Sequence, residues 1–140
     1  MMALVDTPVW SLLLRRAEKN LNPEQRVARI ELIELIREDR TQIIGPIRQE
    51  LLSGLRSEGQ FNNLRNHLAA FDDVPLATED YEEAARASKK CRAPGVAGSS
   101  IDFLICAVAL KHRWPIFTTD RDFTVYARHL PLNLHVPRLT

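Results

Sequence analysis

Four acids stand at positions where a backbone would hold them in place. Asp6 closes the apolar run Ala3-Leu4-Val5. Glu50 lies in the first turns of a helical stretch opened by Gly45-Pro46. Asp102 is set into the head of SSIDFLICAVAL, and Asp120 follows Pro115-Ile116-Phe117-Thr118. A charge is rarely buried unless it is paired or bound to a metal, so an aspartate at the start of a segment made for the core needs an account. Carboxylates that converge repel one another and require a compensating cation. Donors that are all oxygen suit Mg²⁺, or Mn²⁺ in its place. His67, His112, His129 and His135, with Cys91 and Cys106, show no spacing of the zinc type.

Each acid also has a local explanation, and the residues alone leave both open. Ser99-x-x-Asp102 before an apolar run matches a capping box with Asp in the place of Glu. Asp120 has the position to cap the helix that follows it. Glu50 taken alone reads as a helix-surface acid paired with a base. Asp6 is the hardest to dismiss this way, because Thr7-Pro8 already reads as N-cap and first helical residue.

The elements that must position these acids alternate in type. The chain of 140 residues has the length of one domain, residues 1–140, and an ordinary globular composition with 45% hydrophobic and 26% charged residues. A net charge of +1 excludes a strongly basic tail and leaves room for a locally basic surface. The N-terminal MMALVDTPVW has no basic region before an apolar run, no stretch approaches a membrane span, and two cysteines make no disulfide framework. These features lead us to expect a cytoplasmic protein. Cys106 reads as a small core residue, and Trp10, Leu13 and Leu14 as core by default.

Ala3–Val5, Gln42–Ile44, Asp73–Leu76, Pro115–Thr118 and Leu132–Val136 read as strands, the third weakened by Pro75. Helical patterns separate them. Helices are expected after Thr7, from Pro23 (stripe Val27, Ile30, Ile33 or Leu35, Ile36), after Gly45, over 60–71, from Thr78, over Ser99–Lys111 and after Asp122. Strands joined through helices imply parallel pairing and an α/β layer fold. In an open parallel sheet the site lies beyond the carboxyl ends of the strands, which would bring Asp6 and Asp120 to one crevice.

LVDTPVWSLLL, IRQELLSG, SSIDFLICAVAL and WPIFTTDRDF, in that order, resemble the four acidic blocks of PIN-domain ribonucleases, with the nearest likeness to the VapC toxins of toxin–antitoxin pairs. The likeness runs from Ala3 to about Val136. It implies a PIN-like three-layer α/β/α sandwich around a mostly parallel sheet of about four to five strands. It also implies a Mg²⁺-dependent endoribonuclease whose catalytic and metal-holding acids are Asp6, Glu50, Asp102 and Asp120, with Asp122 as an assisting or solvent-facing acid. Thr118 is the hydroxyl of the last block, and Thr7 supports the first. An ion so held would lower the pKa of bound water for attack on phosphorus. Cys106 replaces a small alanine of many relatives and changes little.

Members of that family are commonly homodimers inhibited by a small antitoxin, and the resemblance implies both partners besides RNA. Arg121, Lys89, Lys90, Arg92 and Arg15, with Arg86, Arg16 and Lys19 nearby in sequence, are the candidate phosphate contacts. Any one of them reads first as part of an ordinary solvated helix face, and Arg121, inside the last acidic block, is the strongest candidate by position. A catalytically silent PIN-like binding domain is the alternative. A haloacid-type phosphatase is disfavoured because Asp6-Thr7-Pro8 lacks the second acid of Asp-x-Asp, and a receiver domain because no late strand-end lysine fits.

Overall fold

The computed structural model describes residues 1–138. Strand β1 (Ala3–Val5) leads into α1 (Thr7–Leu14), a short 3₁₀ turn (Glu18–Asn20) and α2 (Pro23–Arg37). Strand β2 (Thr41–Gln42) is followed by α3 (Gly45–Ser53), α4 (Glu58–Leu68), α5 (Thr78–Arg92) and α6 (Ser100–His112). Strand β3 (Ile116–Phe117) and α7 (Asp122–Tyr126) complete the order.

β1 is the central strand of a parallel sheet ordered β2-β1-β3, with Leu4 facing Gln42 on one side and Ile116 on the other. Its three residues are apolar and fully buried, as a strand covered on both faces demands. Of the four to five strands expected, three form as strands. The outer two are reduced to single parallel bridges, Ile43 with Asp73 and Ile116 with Leu134. Pro75 cannot donate to a ladder and stops the first of these, leaving Val74 to donate to Ile43 O at 2.9 Å.

Connections between parallel strands are right-handed. The chain steps outward through α1–α4 and returns across β1 through α5 and α6, so the two sets of helices fall on opposite faces. Contacts agree: α1 packs on α2 and α3, while α5 packs on α6. The result is the three-layer α/β/α arrangement. α6 lies between α5 and the sheet, which explains its composition. Phe103 to Ala109 are all buried, Cys106 among them, so its apolar surface runs around the helix instead of along one stripe.

Two local expectations are corrected. Thr7 is not the N-cap of α1. Asp6 takes that place, its carboxylate accepting from Thr7 N at 2.8 Å, which releases the Thr7 hydroxyl for another partner. The buried face of α2 is Ala28, Glu31, Leu32 and Leu35; of the expected stripe Leu35 is buried and Ile36 partly so, while Ile30 is 42% exposed. Part of that face was hidden because one of its members is an acid.

Glu31 is 1% exposed and accepts from His135 Nε2 at 2.6 Å and Arg138 Nε at 3.0 Å. Arg138 also reaches Glu38 at 2.9 Å, so the last described residues are tied to α2. Burial alone would raise the Glu31 carboxyl, but the bonds from His135 and Arg138 outweigh it and hold the group below its ordinary 4.5. An acid with a lowered folded value stabilises above its unfolded pKa and loses that contribution as the pH falls through the folded value. Glu31→Ala is therefore expected to cost about 2–3 kcal/mol at pH 7. Denaturant midpoints should show the gap between variant and parent narrowing as the pH is taken below 4.5.

Candidate active site

β1 and β3 end side by side, and the two acids that follow them meet there. Asp6, 4% exposed, has both oxygens engaged: Thr7 N donates to one, and the Thr118 hydroxyl donates to the other at 2.7 Å. The same hydroxyl accepts from Asp120 N at 3.0 Å. Asp120 in turn accepts from Asp122 N at 2.9 Å, at the mouth of α7. The freed Thr7 hydroxyl donates to Glu50 Oε1 at 2.7 Å, reaching the exposed acid on α3.

Asp102 arrives from α6. Ser99 caps that helix, its Oγ accepting from Asp102 N at 3.1 Å. The return half of a capping box does not form. The Asp102 carboxylate instead accepts the hydroxyl of Tyr126 at 2.7 Å. Capping and convergence thus coexist at one residue, because the backbone N–H serves the cap and the side chain is free to turn to the site.

Asp102, Asp120 and Asp122 each present a carboxylate oxygen, and these oxygens lie within 4.8 Å of one another. Asp6 and Glu50 are not in that group of three. They line one crevice with Asp102 and Asp120, together with Thr7, Pro8, Ser11 and Arg15. Among the described residues no Lys, Arg or His nitrogen lies within 4.0 Å of any of these five carboxylates. The donor set is oxygen only, partly open and without a protein cation, which is the chemistry a small hard divalent ion fits.

Burial and mutual repulsion both act on these acids. Burial pushes the Asp6 carboxyl up to about 6 against the pull of its Thr118 and Thr7 bonds, with Asp102 and Asp120 adding to the rise. Asp102 is also raised, first by burial, with Tyr126 opposing and Asp120 and Asp122 adding.

The basic candidates divide by place. Arg15 follows the last residue of α1 and borders the crevice, where its guanidinium packs over Gly54; a Cβ on Gly54 would meet Arg15 Cζ at 2.7 Å. Arg121 sits exposed between Asp120 and Asp122. α5 and α6 run antiparallel, since Lys111 at the end of α6 reaches Asp80 at the start of α5 at 3.3 Å. Lys89, Lys90 and Arg92 therefore lie at the Asp102 end of that hairpin. Arg86 is paired with Glu83 at 2.6 Å. Arg16 lies past the end of α1, and Lys19 sits in the 3₁₀ turn; neither belongs to the first helix.

Two contributors had no sequence signal. Tyr126 is separated from every acidic block, and Gly98, whose bare backbone admits the tyrosine ring, reads as an ordinary loop glycine. Only the close approach in the fold reveals either.

The PIN-domain family model matches residues 3–129. The chain belongs to the PIN-domain family. It is 29% identical over 131 residues to Ribonuclease VapC11 of Mycobacterium tuberculosis, covering 91% of this chain and 92% of that protein. The crystal structure of FitAcB from Neisseria gonorrhoeae superposes with a TM-score of 0.74 at 23% identity, over 99% of this chain and 100% of that one. A toxin–antitoxin complex from Klebsiella pneumoniae gives 0.65 at 21% identity, over 86% and 89%. The expected PIN fold, a parallel sheet flanked by helices, is the one observed. No helix among the described residues is long and apolar enough to cross a membrane.

An acid whose folded value is raised costs stability as the pH climbs from its unfolded to its folded pKa, and the cost persists above. For Asp6 the window runs from 3.8 to about 6. Asp6→Asn is expected to stabilise the chelator-treated protein at pH 7.5 by up to about 3 kcal/mol. Thermal melts should show the gain disappearing as the pH is lowered through that window.

Proposed function

We propose that this chain is a divalent-metal endoribonuclease and the toxin of a toxin–antitoxin pair, acting as one domain in the cytoplasm. The observation that carries the reading is the meeting of Asp102, Asp120 and Asp122 within 4.8 Å beside Asp6 and Glu50 in one crevice. Membership of the PIN-domain family supports it, as does the likeness to a ribonuclease.

Asp102, Asp120 and Asp122 would hold Mg²⁺ or Mn²⁺, with Asp6 and Glu50 completing the anionic wall. When bound, such an ion supplies an activated water and charge stabilisation for phosphodiester hydrolysis. The residues do the rest. Thr118 and Thr7 fix Asp6 and Glu50 so that the acids need not reorganise as substrate enters. Arg15, lying on the crevice edge with no ion pair among the described residues, receives a backbone phosphate. Arg121 and the Lys89, Lys90 and Arg92 end of α5 extend the grip along the strand. The expected products carry 5′-phosphate and 3′-hydroxyl ends.

Likeness to the toxin–antitoxin complex supports an antitoxin protein as the proposed partner, and the proposed homodimer rests on the family resemblance alone.

Incubation of purified protein with structured RNA should give cleavage that requires Mg²⁺ and stops with chelator. Asp102→Asn or Asp120→Asn is expected to reduce the rate at least about a hundredfold. Cleavage that survives either substitution overturns the assignment. Arg15→Ala should lower kcat/KM by about tenfold, mainly through KM, and flatten the dependence of binding on salt.

A further inference from the structure

Tyr126 is a fully buried tyrosine whose hydroxyl ends at an acid of the site. Its ring is wedged between Phe103, with centroids 5.1 Å apart, and Phe123, at 5.2 Å. Both aromatic partners are themselves buried. The ring is packed on both sides, and its hydroxyl donates to Asp102 Oδ2 at 2.7 Å.

Gly98 makes the placement possible. A Cβ there would lie 2.8 Å from Tyr126 Cζ and 3.0 Å from Phe103 Cε2, and closer still to the hydroxyl. Real side chains do not approach so closely, so any residue other than glycine displaces the tyrosine. The loop before α6 and the helix after β3 thus fit together around a single hydrogen bond.

That bond divides the two oxygens of Asp102. Oδ2 is committed to a neutral donor on a rigid ring, and the metal reading assigns Oδ1 to the group formed with Asp120 and Asp122. A carboxylate fixed in this way is a one-oxygen ligand. Small octahedral ions suit such ligands, whereas Ca²⁺ takes more oxygens in looser geometry and also accepts carboxylates bound through both oxygens.

We propose that Tyr126 is a positioning residue that holds Asp102 to one-oxygen ligation and so tunes the site for Mg²⁺ or Mn²⁺ over Ca²⁺. The proposal rests on the metal reading given under Proposed function. Hydrogen-bonded supports of this kind change metal affinity by roughly 10- to 100-fold when removed.

Mn²⁺ binding followed by electron paramagnetic resonance, and Mn²⁺ and Ca²⁺ binding by calorimetry, test it on the full chain. Tyr126→Phe removes the hydroxyl and keeps the packing, and Gly98→Ala keeps the hydroxyl and moves it. Both are expected to weaken Mn²⁺ by roughly tenfold while Ca²⁺ holds or tightens, so the preference between the ions narrows. Near-ultraviolet circular dichroism checks that each variant stays folded, and a result from either folded variant decides the matter. Unchanged constants for both ions overturn the proposal, and so does an equal loss for both, since a structural defect would weaken them alike. If the parent binds no Mn²⁺, or Asp102→Asn binds it as tightly as the parent, the metal reading itself fails and the inference falls with it.

Discussion

The hydroxyl of Thr118 donates to Asp6 and accepts from the backbone of Asp120, and through it the ends of two neighbouring strands become one anionic site. The magnitudes show why such links are needed. Two like charges about 5 Å apart at an effective dielectric near 20 oppose each other by about 3 kcal/mol. A hydrogen bond to a charged group returns about 1.5–3 kcal/mol. Single bonds from Thr7, Thr118, Tyr126 and the backbone are thus of the right size to hold the acids together, without removing the demand for a cation. Neutral donors suit that purpose better than lysine or arginine would, because a protein cation among the acids would satisfy them and close the site.

The fold contributes rigidity to the same end. β1 is sealed on both sides, and α6 is sealed between α5 and the sheet, so Asp6 and Asp102 are each carried on an element that cannot shift without opening the core. Asp6 has two duties at once. It caps α1 and it faces the crevice, so the interaction that starts the helix also fixes the acid's rotamer.

Much of this was legible in the sequence for a simple reason. Strand ends and helix starts are marked locally, by apolar runs that stop at an acid and by cap residues, and a parallel sheet brings such ends to one edge. That rule brings Asp6 and Asp120 to one crevice, and the resemblance to the PIN-domain blocks added Glu50 and Asp102, which line it too. What escaped depends on distant geometry. Thr7 looked like the cap because Ser and Thr residues before a proline usually are; that Asp6 displaces it is a matter of which side chain also finds Thr118. The burial of Glu31 on α2 was not legible, because nothing near it in sequence announces His135 and Arg138. The outer strands looked longer because apolar alternation does not report where pairing partners run out. Tyr126 was invisible for the same reason as Glu31: its partner belongs to another element.

Gly98 carries a consequence for how such a chain can change. It has no positive φ, so its own backbone does not require it; it marks a volume occupied by the buried Tyr126 from another element, whereas Gly54 faces only the movable end of the exposed Arg15. A glycine of this kind is a mould, and its letter records the shape of a residue far away in the chain. Two positions that share no contact through side chains are then bound to vary together, the larger residue surviving only while the smaller one stays empty.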